Sequence, residues 1–169
     1  HPSDSYLLRF EKFKNDKNVI VNEYRTSDYF MDRWDPDAEE MVFFANLMHW
    51  SDVTINSFST LSLDAVCVDK PIVNIAFDGY KTRPYSDTIL RVYEREHYKE
   101  VMEKKATRLA KNIDELRDLI NMYLKNPEID HKERIDLFQS SCGRADGRAG
   151  ERIAEFILSE IGLSKIENN

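Results

Sequence analysis

Apolar and polar positions alternate along this chain at two periods, and the two take turns. Leu7, Leu8, Phe10 and Phe13 mark a first helix that Ser3 or Asp4 can cap. After Lys17-Asn18 the β-branched run Val19-Ile20-Val21 predicts a short buried strand. Residues 22–36 are polar and aromatic without a period and read as a loop ending at Trp34-Asp35-Pro36. A second helix is expected over Asp37 to Trp50, with Met41, Phe44, Ala45 and Met48 at helical spacing. A strand over Asp52 to Asn56, a helix from about Ser59 to Val68 and a strand over Ile72 to Phe77 follow. Asp69-Lys70-Pro71 and Asp78-Gly79 supply the turns.

Residues 80–105 are strongly charged, with a helix expected between Asp87 and Lys104, and Thr107-Arg108-Leu109 reads as an edge strand. Asn112 or Asp114 opens a helix with the stripe Ile113, Leu116, Ile120, Tyr123 and Leu124, which Asn126-Pro127 stops. Helices over roughly 131–141 and 147–161 end the chain. Short apolar strands separated by helices imply parallel pairing through crossovers, with both sheet faces covered. The expected fold class is therefore α/β, a Rossmann-like parallel sheet flanked by helices, with extra C-terminal helices.

Composition narrows the partners. The 169 residues suffice for one domain, and 41% hydrophobic with 33% charged residues suits a globular chain without an apolar run of membrane length. A net charge of −7 argues against a nucleic-acid backbone as the main partner. Cys67 lies in an apolar run and reads as a buried thiol, Cys142 sits elsewhere, and no metal-ligand spacing joins them; a reducing cytosol fits that pattern. The chain opens on His1-Pro2 without Met, directly before a helical pattern, which reads as a fragment of a longer protein.

Parallel sheets bind ligands beyond the carboxyl ends of their strands. Asn56 to Ser62 links a strand to a helix there and carries hydroxyls at Ser57, Ser59, Thr60 and Ser62. One cap needs one hydroxyl; four beside a helix start point to an anion, with phosphate as the natural candidate. Asp64, one turn on in an apolar run, can accept hydrogen bonds from ribose hydroxyls or simply face solvent. Arg148 and Arg152 share a helix face and can reach phosphate, or pair with Glu151 and Glu155 nearby. His1, protonated, can neutralise a departing nucleotide phosphate, or is simply a disordered terminal residue. His49, His97 and His131 read as surface or packing residues. With 5 glycines and no glycine-rich fingerprint, the chain must hold phosphate by hydroxyls and a helix end.

His1-Pro2 with the serine-rich turn at 57–62 resembles the paired motifs of GT-B transferases. The stretch from Ser51 to Ala65, ending in Asp69-Lys70-Pro71-Ile72-Val73, and the pattern Asp146-Gly147-Arg148-Ala149 with Arg152-Ile153 are similar to CDP-glycerol glycerophosphotransferase-like proteins and to GT-B sialyl and capsule glycosyltransferases. The resemblance implies the C-terminal half of a two-domain fold, residues 1–169 forming one nucleotide-binding domain whose 147–161 helix crosses to an N-terminal domain carrying the acceptor. It implies a nucleotide-activated donor, transfer of a sugar or glycerol phosphate to a cell-surface glycan or polyol, and no metal or other cofactor. The expected setting is the cytoplasm, at the inner face of the membrane, and this half alone is expected to be inactive. By the same resemblance His1 assists the leaving group, Ser57, Ser59 and Thr60 bind phosphate, and Asp64 holds ribose; related donor sites often carry Glu at that last position. Two other readings remain at this point: a nucleotide-sugar 2-epimerase of the same architecture, and a non-catalytic α/β binding or interaction module.

Overall fold

The computed structural model describes residues 7–22 and 36–162; His1, Pro2, the Ser3 and Asp4 caps, most of the 22–36 loop and residues 163–169 lie outside them. Two compact units emerge, 1–47 and 48–169.

In the first unit Leu7–Phe13 winds as a 3-10 helix. The strand expected at Val19 to Val21 does not form. The Val19 amide closes a turn on the Asp16 carbonyl at 3.0 Å, the Asn18 amide bonds the Asp16 carboxylate at 2.9 Å, and Ile20 is 93% exposed. Three β-branched residues make a strand only where a neighbour can pair with them, and among the described residues none does. Helix α1 (Ala38–Trp50) begins in this unit and ends in the next. Asp37 and Glu40 start it as a reciprocal capping box, each carboxylate accepting from the other's backbone N–H at 2.9 and 3.2 Å.

The second unit is built on a parallel sheet. Strands β1 (Thr54–Asn56), β2 (Ile72–Ile75) and β3 (Arg108–Ala110) lie in the order β1-β2-β3, both pairings parallel. Register pairs Asn56 with Asn74 and Asn74 with Leu109. Helix α2 (Leu61–Cys67) joins β1 to β2. A 3-10 helix (Ile89–Glu94) and α3 (Glu96–Glu103) lie between β2 and β3. Helices α4 (Ile113–Lys125), α5 (His131–Ser141) and α6 (Ala149–Glu160) follow. Parallel strands flanked by helices are the α/β, Rossmann-like arrangement anticipated from the alternating periods. None of the described helices is long and apolar enough to cross a membrane.

The two faces of the sheet differ in chemistry, because successive side chains of a strand point to opposite sides. On one face Val73, Ala110 and Tyr123 are buried, with Leu116, Leu119 and Ile120 of α4 packed against them. On the other, Asn74 is fully buried and bonds into α3. Helix α5 is anchored by Arg134, only 1% exposed, whose guanidinium donates to Asp69 at 2.7 Å and to the carbonyls of Ile129 and Pro127 at 2.7 and 2.8 Å. His131 adds a 2.7 Å contact to the same Asp69.

Cys67 corrects another expectation. It ends the seven-residue α2 and is exposed, since a helix buried along Ser62, Ala65 and Val66 turns its next position outward. Partial burial of the sulfur, then a hydrogen bond with Cys142, push its thiol up to about 11.

Candidate functional site

Parallel pairing sets the carboxyl ends of β1, β2 and β3 along one edge, and the segment leaving β1 there is the serine-rich one. Ser57 and Thr60 are exposed at this corner, and Ser59 is half-buried. The Ser59 hydroxyl accepts from the Leu61 amide at 3.2 Å and the Ser59 carbonyl from the Ser62 amide at 3.0 Å, so Ser59 shapes the turn from within. Thr60 precedes the helix with α-region backbone and makes no side-chain cap, which leaves its hydroxyl outward.

Ser62 points the other way. It is fully buried, and its hydroxyl meets the Tyr98 hydroxyl at 2.7 Å while accepting from the Asn56 amide at 3.3 Å. In this conformation it offers nothing to the surface. Ser62, Ala65 and Val66 lie three and four residues apart, so they share the buried stripe of α2. Asp64, on the opposite stripe, is exposed, yet partial burial of its carboxylate lifts its pKa.

Phe58 sits at the apex with φ +48, a left-handed conformation that a bulky residue disfavours by about 1 kcal/mol or more. Tyr93, Tyr98 and Arg95 hold it there. Its amide donates to the Tyr93 hydroxyl at 3.2 Å, and Tyr93 in turn donates to the Ile75 carbonyl at 2.7 Å, bridging the turn to the end of β2. Its ring lies 4.7 Å from that of Tyr98 and 6.0 Å from that of Tyr93, and the Arg95 guanidinium stands 5.6 Å over it. Beneath the turn Asn74 donates to the Tyr98 hydroxyl at 2.9 Å and to Thr107 at 3.0 Å. Asp78, just past β2, accepts from the Ile89 amide at 2.8 Å and ties down the segment that carries Tyr93.

The remaining candidates lie apart from this corner in their bonding. Arg148 forms a two-pronged pair with Glu151 at 2.6 and 2.9 Å, and Arg152 meets both oxygens of Asp146 at 2.8 Å. Both guanidinium groups thus close the start of α6 on itself. His1 lies outside the described residues. A cavity of about 330 Å³ opens at the opposite edge of the sheet, lined by Asp52, Asp69, Lys70, Glu128 and Arg134. With Arg134 spent on Asp69 and two carbonyls, this cavity is part of the α5 anchor; ligands of parallel sheets gather at the other edge.

Reading the sequence alone missed Phe58, Tyr93 and Tyr98. One signal was present: Asn74 is an amide inside the otherwise apolar strand Ile72–Ile75, where a buried polar side chain needs a partner. The tyrosines were passed over because residues 80–105 read chiefly as charged, although Tyr98 and Val101 stand at helical spacing and form the buried stripe of α3.

The description of one family, CDP-Glycerol:Poly(glycerophosphate) glycerophosphotransferase, matches residues 7–159 of the chain. No curated protein and no solved structure gives a significant match.

Proposed function

Since the chain belongs to the CDP-glycerol:poly(glycerophosphate) glycerophosphotransferase family, we propose that the turn between β1 and α2 holds the phosphates of a nucleotide-linked glycerol donor. The observation that carries this reading is the position of Ser57 and Thr60, exposed together at the carboxyl edge of a parallel sheet on a turn pinned from below. Two exposed hydroxyls on a turn held from below can both donate to phosphate oxygens.

In the proposed reaction an acceptor hydroxyl oxygen attacks the phosphorus that bears glycerol. The bond from that phosphorus to the bridging oxygen breaks, the nucleoside monophosphate leaves with the bond's electron pair, and the acceptor's proton passes to a base or to solvent. Hydroxyl donors beside the departing phosphate stabilise the charge it gains. Ser57, Thr60 and the inner Ser59 form the phosphate corner, and Asp64, one helical turn further on, is placed to accept from the ribose diol. Ser62 supports the turn from inside. His1 is retained as the group that assists departure of the nucleotide. Arg148 and Arg152 would reach phosphate only by leaving Glu151 and Asp146. A GT-B partner domain carrying the acceptor, action on a cell-envelope polymer from the cytoplasmic side, and independence from metal complete the proposal.

Calorimetric titration of the full-length protein with CDP-glycerol tests the reading. Replacing Ser57 and Thr60 together by Ala removes two exposed hydroxyls that the fold does not use. Affinity is expected to fall about tenfold or more, with the melting temperature moving by no more than about 1 °C. Unchanged affinity in that double variant would remove the donor corner from this turn.

A further inference from the structure

Below the turn lies a group of polar side chains that packing alone does not ask for. Ser62 and Asn74 are fully buried, Tyr98 is 1% exposed and Thr107 7%, and hydrogen bonds join them in the order Ser62, Tyr98, Asn74, Thr107. The opposite face of the same three strands is filled by Val73, Ala110 and the apolar stripe of α4, so the sheet accepts an ordinary apolar core where nothing else is required. The polar side also carries a cost: the side-chain oxygens of Asn56 and Asn74 are buried without a hydrogen bond.

The hydrogen bonds have a direction. Both amide hydrogens of Asn74 are committed, one to Tyr98 and one to Thr107. The Tyr98 oxygen therefore accepts from Asn74, and its own proton is free to go to Ser62, which also accepts from Asn56. Tyr98 thus joins β2 to the first turn of α2, while Tyr93 joins the end of β2 to Phe58. Burial raises the pKa of both tyrosines, which keeps their hydroxyls protonated at neutral pH. Between the two phenols, the turn is fastened at its apex and at its exit.

We infer that Tyr98, seconded by Tyr93, is a positioning residue for donor binding: through Ser62 and Phe58 it holds the turn in the shape that presents Ser57 and Thr60. Neither tyrosine touches the donor. The inference rests on the reading of this turn as the phosphate corner.

The experiment compares Tyr98→Phe, Ser62→Ala, their double variant and Ser57→Ala/Thr60→Ala in the full-length protein. The control is Tyr123→Phe, which deletes the hydroxyl of an equally buried tyrosine, bonded to Asp130 at 2.6 Å at the rim of the apolar face. Each is measured for its melting temperature and its CDP-glycerol affinity. Tyr98→Phe is expected to weaken binding about tenfold; Tyr123→Phe is expected to lower the melting temperature about as much as Tyr98→Phe does, yet to leave affinity within about twofold. The Ser62→Ala/Tyr98→Phe pair should bind no worse than the weaker single variant, because both remove the same link. Wild-type affinity in Tyr98→Phe, or an equal loss in Tyr123→Phe, overturns the inference. Should Tyr98→Phe fail to fold, Ser62→Ala decides by the same criteria. If Ser57→Ala/Thr60→Ala binds normally the donor reading itself falls; if it loses binding while Tyr98→Phe does not, only the role of Tyr98 falls.

Discussion

Cys67 shows how far a residue's neighbours in sequence mislead about its neighbours in space. Its run from Leu61 to Val68 reads as buried, but α2 is seven residues long and buries only the stripe through Ser62, Ala65 and Val66. The same stripe explains Ser62. Counting four hydroxyls as equal overlooked that helical spacing sends the last of them inward, a distinction visible from the positions themselves. Phe58 was beyond reach, since its left-handed backbone is imposed by Tyr93 and Tyr98 from 35 and 40 positions away. Cys67 is also exposed and yet a poor nucleophile, because only the thiolate reacts and its pKa lies at about 11. Alkylation by iodoacetamide at pH 8, followed by mass spectrometry, should be at least about tenfold slower at Cys67 in the native protein than after denaturation. The native rate should keep climbing beyond pH 9; a plateau there would contradict the raised pKa.

Among the elements, those with their own punctuation were legible. Helix α4 matches its expected start because Asn112 caps it, accepting from the Glu115 amide at 2.8 Å, while Glu115 returns a bond to the Lys111 amide at 2.8 Å. Strands β1 and β2 were found from short β-branched runs between turns, each expected two residues longer than it is. Val19 to Val21 are β-branched too but have no partner among the described residues, and composition cannot supply one. Between 80 and 105 the helix expected within Asp87 to Lys104 is α3, whose buried stripe is Tyr98 and Val101, while the 3-10 helix before it is fixed by Asp78, Thr88 and the Tyr93 phenol. Replacing Asn112 by Ala is expected to cost about 1 kcal/mol of unfolding free energy in urea, with Asp restoring most of it. A loss below about 0.3 kcal/mol would mean that packing against β2 and β3 alone holds α4 in place.

At the scale of the molecule, the parallel sheet and its flanking helices followed from the alternation of periods, but the contrast between its two faces did not. That contrast arises where β2 sends Val73 to α4 and Asn74 to α3, a choice settled by tertiary packing. The apolar side is closed by charge at its rim. Arg108 pairs with Asp130 through two 2.6 Å bonds, and Tyr123 donates to the same carboxylate. Burial pushes the Asp130 pKa up, but the Arg108 and Tyr123 hydrogen bonds outweigh it and hold the group below its ordinary 3.8. A carboxylate with a depressed folded pKa contributes stability that is complete above its unfolded pKa and is lost as pH falls through the folded one. Urea midpoints should therefore be flat in this respect above about pH 5 and decline below about pH 4. Asp130→Asn should show a shallower acid limb, and an unchanged limb would remove Asp130 from the acid response.

Because all three strands point the same way, the segments leaving them gather at one rim while the sheet behind stays the same. Residues 79–87, which leave β2 at that rim, are exposed throughout and include Tyr80, Lys81, Arg83 and Tyr85. Such a segment can be rewritten by mutation without disturbing a single core contact. Sequence change can therefore collect at that rim from one descendant to the next while the sheet behind it is inherited unaltered.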